Sequence, residues 1–299
     1  MTECFYLQWD IDENSGGLLI KEFLHNAGIS RTALTDIKFK GGKILVNGKE
    51  ENVRYRLIAG DVLKVIFPPE NPSFEGEDIP LNIIYEDEFL LVVVKPAGMN
   101  TIPSREHPNG SLANALVGYY NKMGLQATAH IVTRLDRETS GIVLIAKHRH
   151  VHHLFSMMQR NREINRTYEA LAAGWIVNDK GSIRASIGRK EDSIIEREVR
   201  EDGQYACTHY QVINRFREYT HIELKLETGR THQIRVHMSY IGHPLLGDDL
   251  YGGDTSFIKR QALHCKKIQF THPFTREKLI FTAPLPEDML KLIVADPQT

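Results

Sequence analysis

The chain has 299 residues, 41% hydrophobic and 25% charged, an ordinary globular composition that excludes disorder and fibrous repeats and is long enough for one large domain or a large and a small one. With 37 Lys and Arg against 38 Asp and Glu, the net charge of −1 neither requires nor excludes a nucleic-acid partner, since affinity depends on where the basic side chains lie. No apolar run approaches the roughly 18 residues of a membrane span.

In chain order, Ile20, Phe23, Leu24 and Ala27 form one helix face stopped by Gly28. Ser30 then caps a second short helix. "GGKILVNGKE" reads as a turn, a brief strand and an Asn47-Gly48 hairpin, and "AGDVLKVIF" as a closing strand. From Arg31 to Arg56 this segment carries seven basic side chains against three acidic ones. Residues 69–80, within "PPENPSFEGEDIP", have the composition of an extended linker. Beyond them, "LNIIYEDEFLLVVVKPAGM" reads as a strand, an acidic turn and a buried strand. Ser111 caps the helix "LANALVGYY", and Val151, Leu154, Phe155 and Met158 form the face of another. "HIELKLE" alternates as a half-covered strand does. Strands and helices mix without strict alternation, which predicts an α+β domain on a mixed, mainly antiparallel sheet over residues 81–295, preceded by a small α+β unit over 1–68.

Three stretches could carry chemistry. In "VTRLDRETSGIVLIAK", Arg134, Asp136, Arg137 and Glu138 stand directly before the apolar run Ile142 to Ala146. The residues alone allow a solvated salt-bridge loop, or a carboxylate at the mouth of a core with arginine partners, which is a candidate nucleophile or acid/base. In "LETGRTHQIRVHMSYIGHPLLGDDLYGG", Thr231 is expected to cap a helix burying Ile234, His237, Met238 and Ile241, with Arg230 and Arg235 near its start. That arrangement suits a phosphate backbone or a carboxylate, or an ordinary capped surface helix. Tyr168, inside the strand-like "TYEALAAG", suits either a core position or stacking on a base. His148, His150, His152 and His153 have no matching carboxylate or Cys spacing, so they are expected to be solvated or RNA-facing, not metal ligands. Cys4, Cys207 and Cys265 are isolated and expected to be reduced thiols. No metal site is predicted, and there is no phosphate-binding glycine loop or Gly-x-Ser-x-Gly elbow.

Together the segments resemble the RluA-type pseudouridine synthases. "RLDRETSGIVLIAK", "VVVKPAGM", "RTYEALAAG", "TGRTHQIRVH", "GHPLLGDDLYG" and "ALHCKKIQFTHPFT" fall in that family's order over about residues 81 to 290. The N-terminal unit resembles the small RNA-binding domain of ribosomal protein S-four. The resemblance implies an RNA uridine isomerase with no cofactor and no metal. Asp136 would be the catalytic carboxylate, Arg235 the buried arginine that pairs with it, and Tyr168 the tyrosine that stacks on uracil and assists proton removal. Arg134 would fill the space left by the flipped nucleotide, and Arg230 would bind substrate. Arg31, Lys38, Lys40 and Lys43 would meet RNA phosphates. Thr133 stands where many members have His, which bears on substrate-loop contacts and not on the chemistry.

The expected substrate is large-subunit ribosomal RNA, with transfer RNA as the alternative, acted on by a cytoplasmic monomer with no membrane partner. The different-class alternative is a non-catalytic RNA-binding or ribosome-assembly factor. A glycosidase-like hydrolase is disfavoured because no second carboxylate is motif-placed.

Overall fold

The structure is a computed structural model in which residues 5–295 are described; Cys4 lies outside them. An N-terminal sheet of four antiparallel strands has the order Tyr6–Asp10, Val62–Ile66, Lys43–Val46, Lys49–Glu50. Helices Ile20–Asn26 and Arg31–Phe39 pack on it, and Ile20, Leu24 and Ile37 meet Ile44, Leu63 and Val65 in one buried cluster. Ser30 Oγ accepts from Ala33 N at 3.1 Å, capping the second helix as expected. Asn47 (φ 50°) and Gly48 (φ 79°) both take positive φ, the requirement of a tight two-residue hairpin. Two features differ from the expectation. Strand Tyr6–Asp10 was not foreseen, and it pairs along Val62–Ile66, so the strand read as closing the unit lies inside its sheet.

The larger sheet runs Lys180–Arg184, Cys207–Arg215, Tyr219–Leu226, Asn165–Ala173, Leu263–Thr271, Ser140–Ala146, Leu90–Lys95, Ile83–Glu86. The pairs along it are antiparallel except where Leu263–Thr271 meets Ser140–Ala146 in parallel. The architecture is α+β on a mixed, mostly antiparallel sheet. That parallel contact passes over Gly141 (φ 119°), where a Cβ would lie 2.5 Å from Cys265 N and nearer still to its carbonyl oxygen. Only glycine admits both that backbone and that approach.

Residues 68–82 contain no helix or strand, but they are not the free linker their composition suggests. Glu77 N donates to Asn114 O (2.9 Å) and Asn114 Nδ2 to Glu75 O (2.9 Å), while a Cβ on Gly118 would run into the Glu77 carbonyl. The segment is laid along helix Leu112–Met123.

The histidines also differ from expectation. His148 and His150 are buried, and their rings stack on Phe5 (3.8 Å, 11°) and Phe67 (5.5 Å, 23°) from the N-terminal unit. Arg149 between them bonds Asp36 of that unit at 2.6 Å, and its backbone N–H donates to Glu70 at 3.0 Å. They form the seam between the two sheets. Burial brings both imidazoles down to a pKa of about 4. No helix among the described residues is long and apolar enough to cross a membrane.

Candidate active site

Ile142, Val143, Leu144 and Ile145 are 0% exposed. Burying each contributes about 1.5–3 kcal/mol gross, more than enough to anchor a charged loop at the strand's start. The loop itself is fixed residue by residue. Thr133 Oγ1 accepts from Leu144 N (2.9 Å), and Thr101 Oγ1 donates to Leu135 O (2.6 Å). Lys95 Nζ donates to Arg137 O (3.0 Å) and Arg260 to Glu138 O (3.1 Å). Thr133 is 1% exposed, so its hydroxyl acts as a backbone partner and does not line the cleft. Lys95 is 0% exposed and also bonds the Pro96 and Met99 carbonyls. Burial draws its pKa down to about 7.

Asp136 emerges from this clamped loop on a wall shared by two spaces. One is an open cleft of about 900 Å³ lined by Arg134, Arg137, Arg160, Arg162, Arg166 and Arg230 among others. The second, a recess of about 80 Å³, is bounded additionally by Tyr168, His232 and Arg235. Six guanidinium groups around one cleft make a concentrated positive potential in a neutral chain, which favours a polyanion. Lys147 and Arg149, from the same basic stretch as Arg160, Arg162 and Arg166, are instead structural, pairing with Glu86 (2.6 Å) and Asp36 (2.6 Å).

Arg235 Nη1 donates to Asp136 Oδ2 at 3.3 Å, while its Nε and Nη2 form a fork on Asp248 at 2.7 and 2.8 Å. The stronger partner is therefore Asp248, a fully buried carboxylate that was not singled out from the sequence although it stands in "GDDLYG". Burial works against the Arg235 charge, the hydrogen bonds to Asp248 outweigh it, and its pKa is raised. The Tyr251 ring lies 4.9 Å from the guanidinium, and Tyr251 also shares a 2.8 Å hydrogen bond with His232 Nδ1. His232 Nε2 is 3.9 Å from Asp136, and burial lowers the His232 pKa despite that neighbour.

Thr231 is exposed and does not cap the helix Gln233–Tyr240; the capping position is His232, in a left-handed conformation (φ 57°). Gln233 turns back instead and accepts from Arg230 N (3.0 Å) and Thr228 Oγ1 (2.8 Å). Arg230 stays exposed at the cleft, its Nε on Tyr205 O at 3.1 Å. Arg134 is also exposed there. Tyr168 is 4% exposed, and burial raises its pKa well beyond the ordinary tyrosine value, so it presents a neutral phenol. The arrangement thus gathers Asp136, Tyr168, Arg235, Arg134 and Arg230. Arg31, Lys38, Lys40 and Lys43 are exposed on the other unit, with Lys40 also 2.8 Å from Asp36.

Comparison with known proteins identifies the family. The family model described as RNA pseudouridylate synthase matches residues 89–240. The chain is 51% identical to YjbO, an uncharacterised RNA pseudouridine synthase of Bacillus subtilis, over 92% of this chain and 98% of that protein. It is 38% identical to ribosomal large subunit pseudouridine synthase D of Vibrio cholerae, over 85% and 83% respectively. The solved structure of human RNA pseudouridylate synthase domain containing 1 shares the fold, with a TM-score of 0.59 at 23% identity over 75% of this chain and 99% of that one. The chain belongs to the RluA-type RNA pseudouridine synthases, isomerases that convert uridine to pseudouridine within RNA.

Proposed function

We propose that the enzyme acts on structured large-subunit ribosomal RNA and that Asp136 is its catalytic carboxylate. The observation that carries this reading is the position of Asp136, on the wall common to the arginine-lined cleft and the recess, with one oxygen on Arg235. Its other oxygen is left for the ribose. The target uridine must leave its stack to reach that wall, and Arg134, exposed beside Asp136, fills the vacated space. In the recess, the carboxylate either attacks the sugar carbon or assists detachment of the base by a glycal route. The N1–C1′ bond breaks, the uracil turns over, and C5 bonds to C1′. The C5 proton is then lost and N1 gains one, so the nucleoside is isomerised with no net exchange of electrons. Tyr168 contacts the uracil as a neutral ring and phenol, and the cleft arginines take the flanking phosphates. The name of the Vibrio cholerae relative supports the large-subunit assignment.

The N-terminal unit, with its exposed Arg31, Lys38, Lys40 and Lys43, is on this reading a second, S-four-like RNA-binding domain over residues 1–68, joined through 69–80 to the catalytic domain 81–295. The test is Asp136→Asn, measured by tritium release from RNA labelled at uracil C5 and by mapping pseudouridines in RNA from cells lacking the protein. A folded variant with no release, and a lost modification in large-subunit RNA, are expected. Release by the variant would overturn the role of Asp136. A lost modification only in transfer RNA would overturn the substrate. RNA binding without release by the parent protein would favour a non-catalytic factor.

A further inference from the structure

Among the described residues, one cluster of metal-ligating side chains lies outside the Asp136–Arg235–Asp248 chain. Cys207 and His209 are two residues apart on strand Cys207–Arg215 and so share a face. Glu227 follows strand Tyr219–Leu226, where its backbone N–H donates to Cys207 O at 3.1 Å. The three donor atoms converge: Cys207 Sγ is 3.7 Å from His209 Nε2 and 3.4 Å from Glu227 Oε1, and Nε2 and Oε1 are 2.7 Å apart.

A tetrahedral zinc ion with a bond of about 2.3 Å to sulfur and about 2.0–2.1 Å to nitrogen or oxygen requires edges of about 3.5 Å from sulfur and about 3.3 Å between the lighter atoms. Two edges already fit. The third opens by about 0.6 Å, within a small rotation of either side chain. Two of the ligands also have outer partners. His209 Nδ1 is bonded to Ser182 Oγ at 2.7 Å, which leaves Nε2 to face the ion, and Arg162 holds the other Glu227 oxygen at 3.2 Å. Such outer bonds fix the orientation of metal-binding imidazoles and carboxylates.

We propose that Cys207, His209 and Glu227 form a three-ligand zinc site, with water in the fourth position. A mixed sulfur, imidazole and carboxylate set selects zinc over magnesium or calcium. Binding displaces the thiol proton to solvent and forms the zinc–sulfur bond, with no change of oxidation state. Glu227 lines the cleft immediately before the Thr228–Thr231 loop, so the ion ties two strand ends together at the root of the loop that carries Arg230. The site adds a cross-link to the cleft rim and takes no part in the isomerisation.

Full-length protein stripped with a chelator is titrated with zinc alone against a chromophoric competitor, and separately with cobalt(II) alone while its absorption is recorded. One equivalent per chain, a tetrahedral cobalt spectrum and a thiolate-to-cobalt band are expected. Cys207→Ser should weaken binding by about 100-fold or more, and Ser182→Ala, which removes only the outer partner of His209, by about 10-fold. Cys4→Ser should bind as the parent does. Circular dichroism establishes that each variant is folded; if Cys207→Ser is not, Glu227→Gln and Ser182→Ala decide the question. Absence of stoichiometric binding, an octahedral cobalt spectrum without the thiolate band, or parental affinity in the folded variants overturns the proposal.

Discussion

On the proposed role of Asp136, Asp248→Asn tests whether the buried fork on Arg235 sets up the reaction centre. Both partners are almost fully enclosed, with side-chain exposures of 7% for Arg235 and 0% for Asp248. Removing one member of such a pair costs about 3–5 kcal/mol, because the remaining charge stays out of water. Asparagine returns one acceptor, which places the expected loss near the lower bound, about 3 kcal/mol. For a domain of this size that lowers Tm by about 6–12 °C, and it leaves the protein folded, since native stabilities run to about 5–15 kcal/mol. Activity should fall further than stability. Arg235 reaches Asp136 at 3.3 Å with its other two nitrogens on Asp248, so loosening that fork should shift the contact, and a displacement of about 1 Å at a reacting group costs about 100-fold in rate. KM for RNA should change little, because the cleft arginines are untouched. Calorimetry and tritium release measure the two effects. Combining Asp248→Asn with Arg235→Gln should restore part of the stability, by removing the orphaned charge, and none of the activity. A Tm loss below about 2 °C together with a nearly unchanged rate would refute the argument.

Gly141→Ala should cost about 4 kcal/mol or prevent folding, since the new methyl group meets the Cys265 backbone at a positive φ; soluble, parent-like protein by thermal melt would contradict the parallel pairing. Acid should loosen the seam at His148 and His150. Burial puts both at a pKa of about 4 in the fold against 6.5 unfolded, so the unfolded chain takes up protons first as pH falls. Stability is complete above about 6.5 and is lost between there and about 4, by about 2 kcal/mol per histidine at pH 5; His148→Phe with His150→Phe should flatten that slope in urea titrations. Replacing Arg31, Lys38, Lys40 and Lys43 by Gln should lessen the dependence of RNA affinity on salt by up to about 0.7 to 0.9 in logarithmic slope per lost phosphate contact, and an unchanged slope would remove the N-terminal unit from the binding surface.

Much of this was legible because short-range rules govern it. The caps at Ser30 and Ser111, the Asn47-Gly48 turn and the buried run after Asp136 follow from side chains within a few positions of one another. Several of the failures share a physical cause, which is that long-range partners leave no local trace. His148 and His150 stand at the start of a helix whose apolar face, Val151, Leu154, Phe155 and Met158, does not include them, and the rings that cover them come from Phe5 and Phe67. Arg235 was readable as an anion-binding arginine, but its main partner, Asp248, comes from a loop thirteen positions on. Thr231 lost its expected capping position to His232, because the helix begins one residue later, while the Gln233 side chain satisfies Arg230 N. Lys95 stood in a recognised segment, yet only folding brings the Pro96, Met99 and Arg137 carbonyls around its ammonium group.

The aromatic seam also bears on how a large RNA is chosen. Stacked rings, the Arg149–Asp36 pair and the packed segment after Phe67 hold the N-terminal sheet against the catalytic sheet. On the proposed reading the molecule is then a preorganised bivalent ligand, with the spacing between its two phosphate-binding faces set before RNA arrives. The second contact is intramolecular once the first is made, so affinity rises steeply for an RNA whose folded backbone spans that distance and not for one that falls short. Selection by such a caliper responds to the three-dimensional separation of phosphates, which makes the tertiary fold of the RNA, more than the letters around the uridine, the quantity that is recognised.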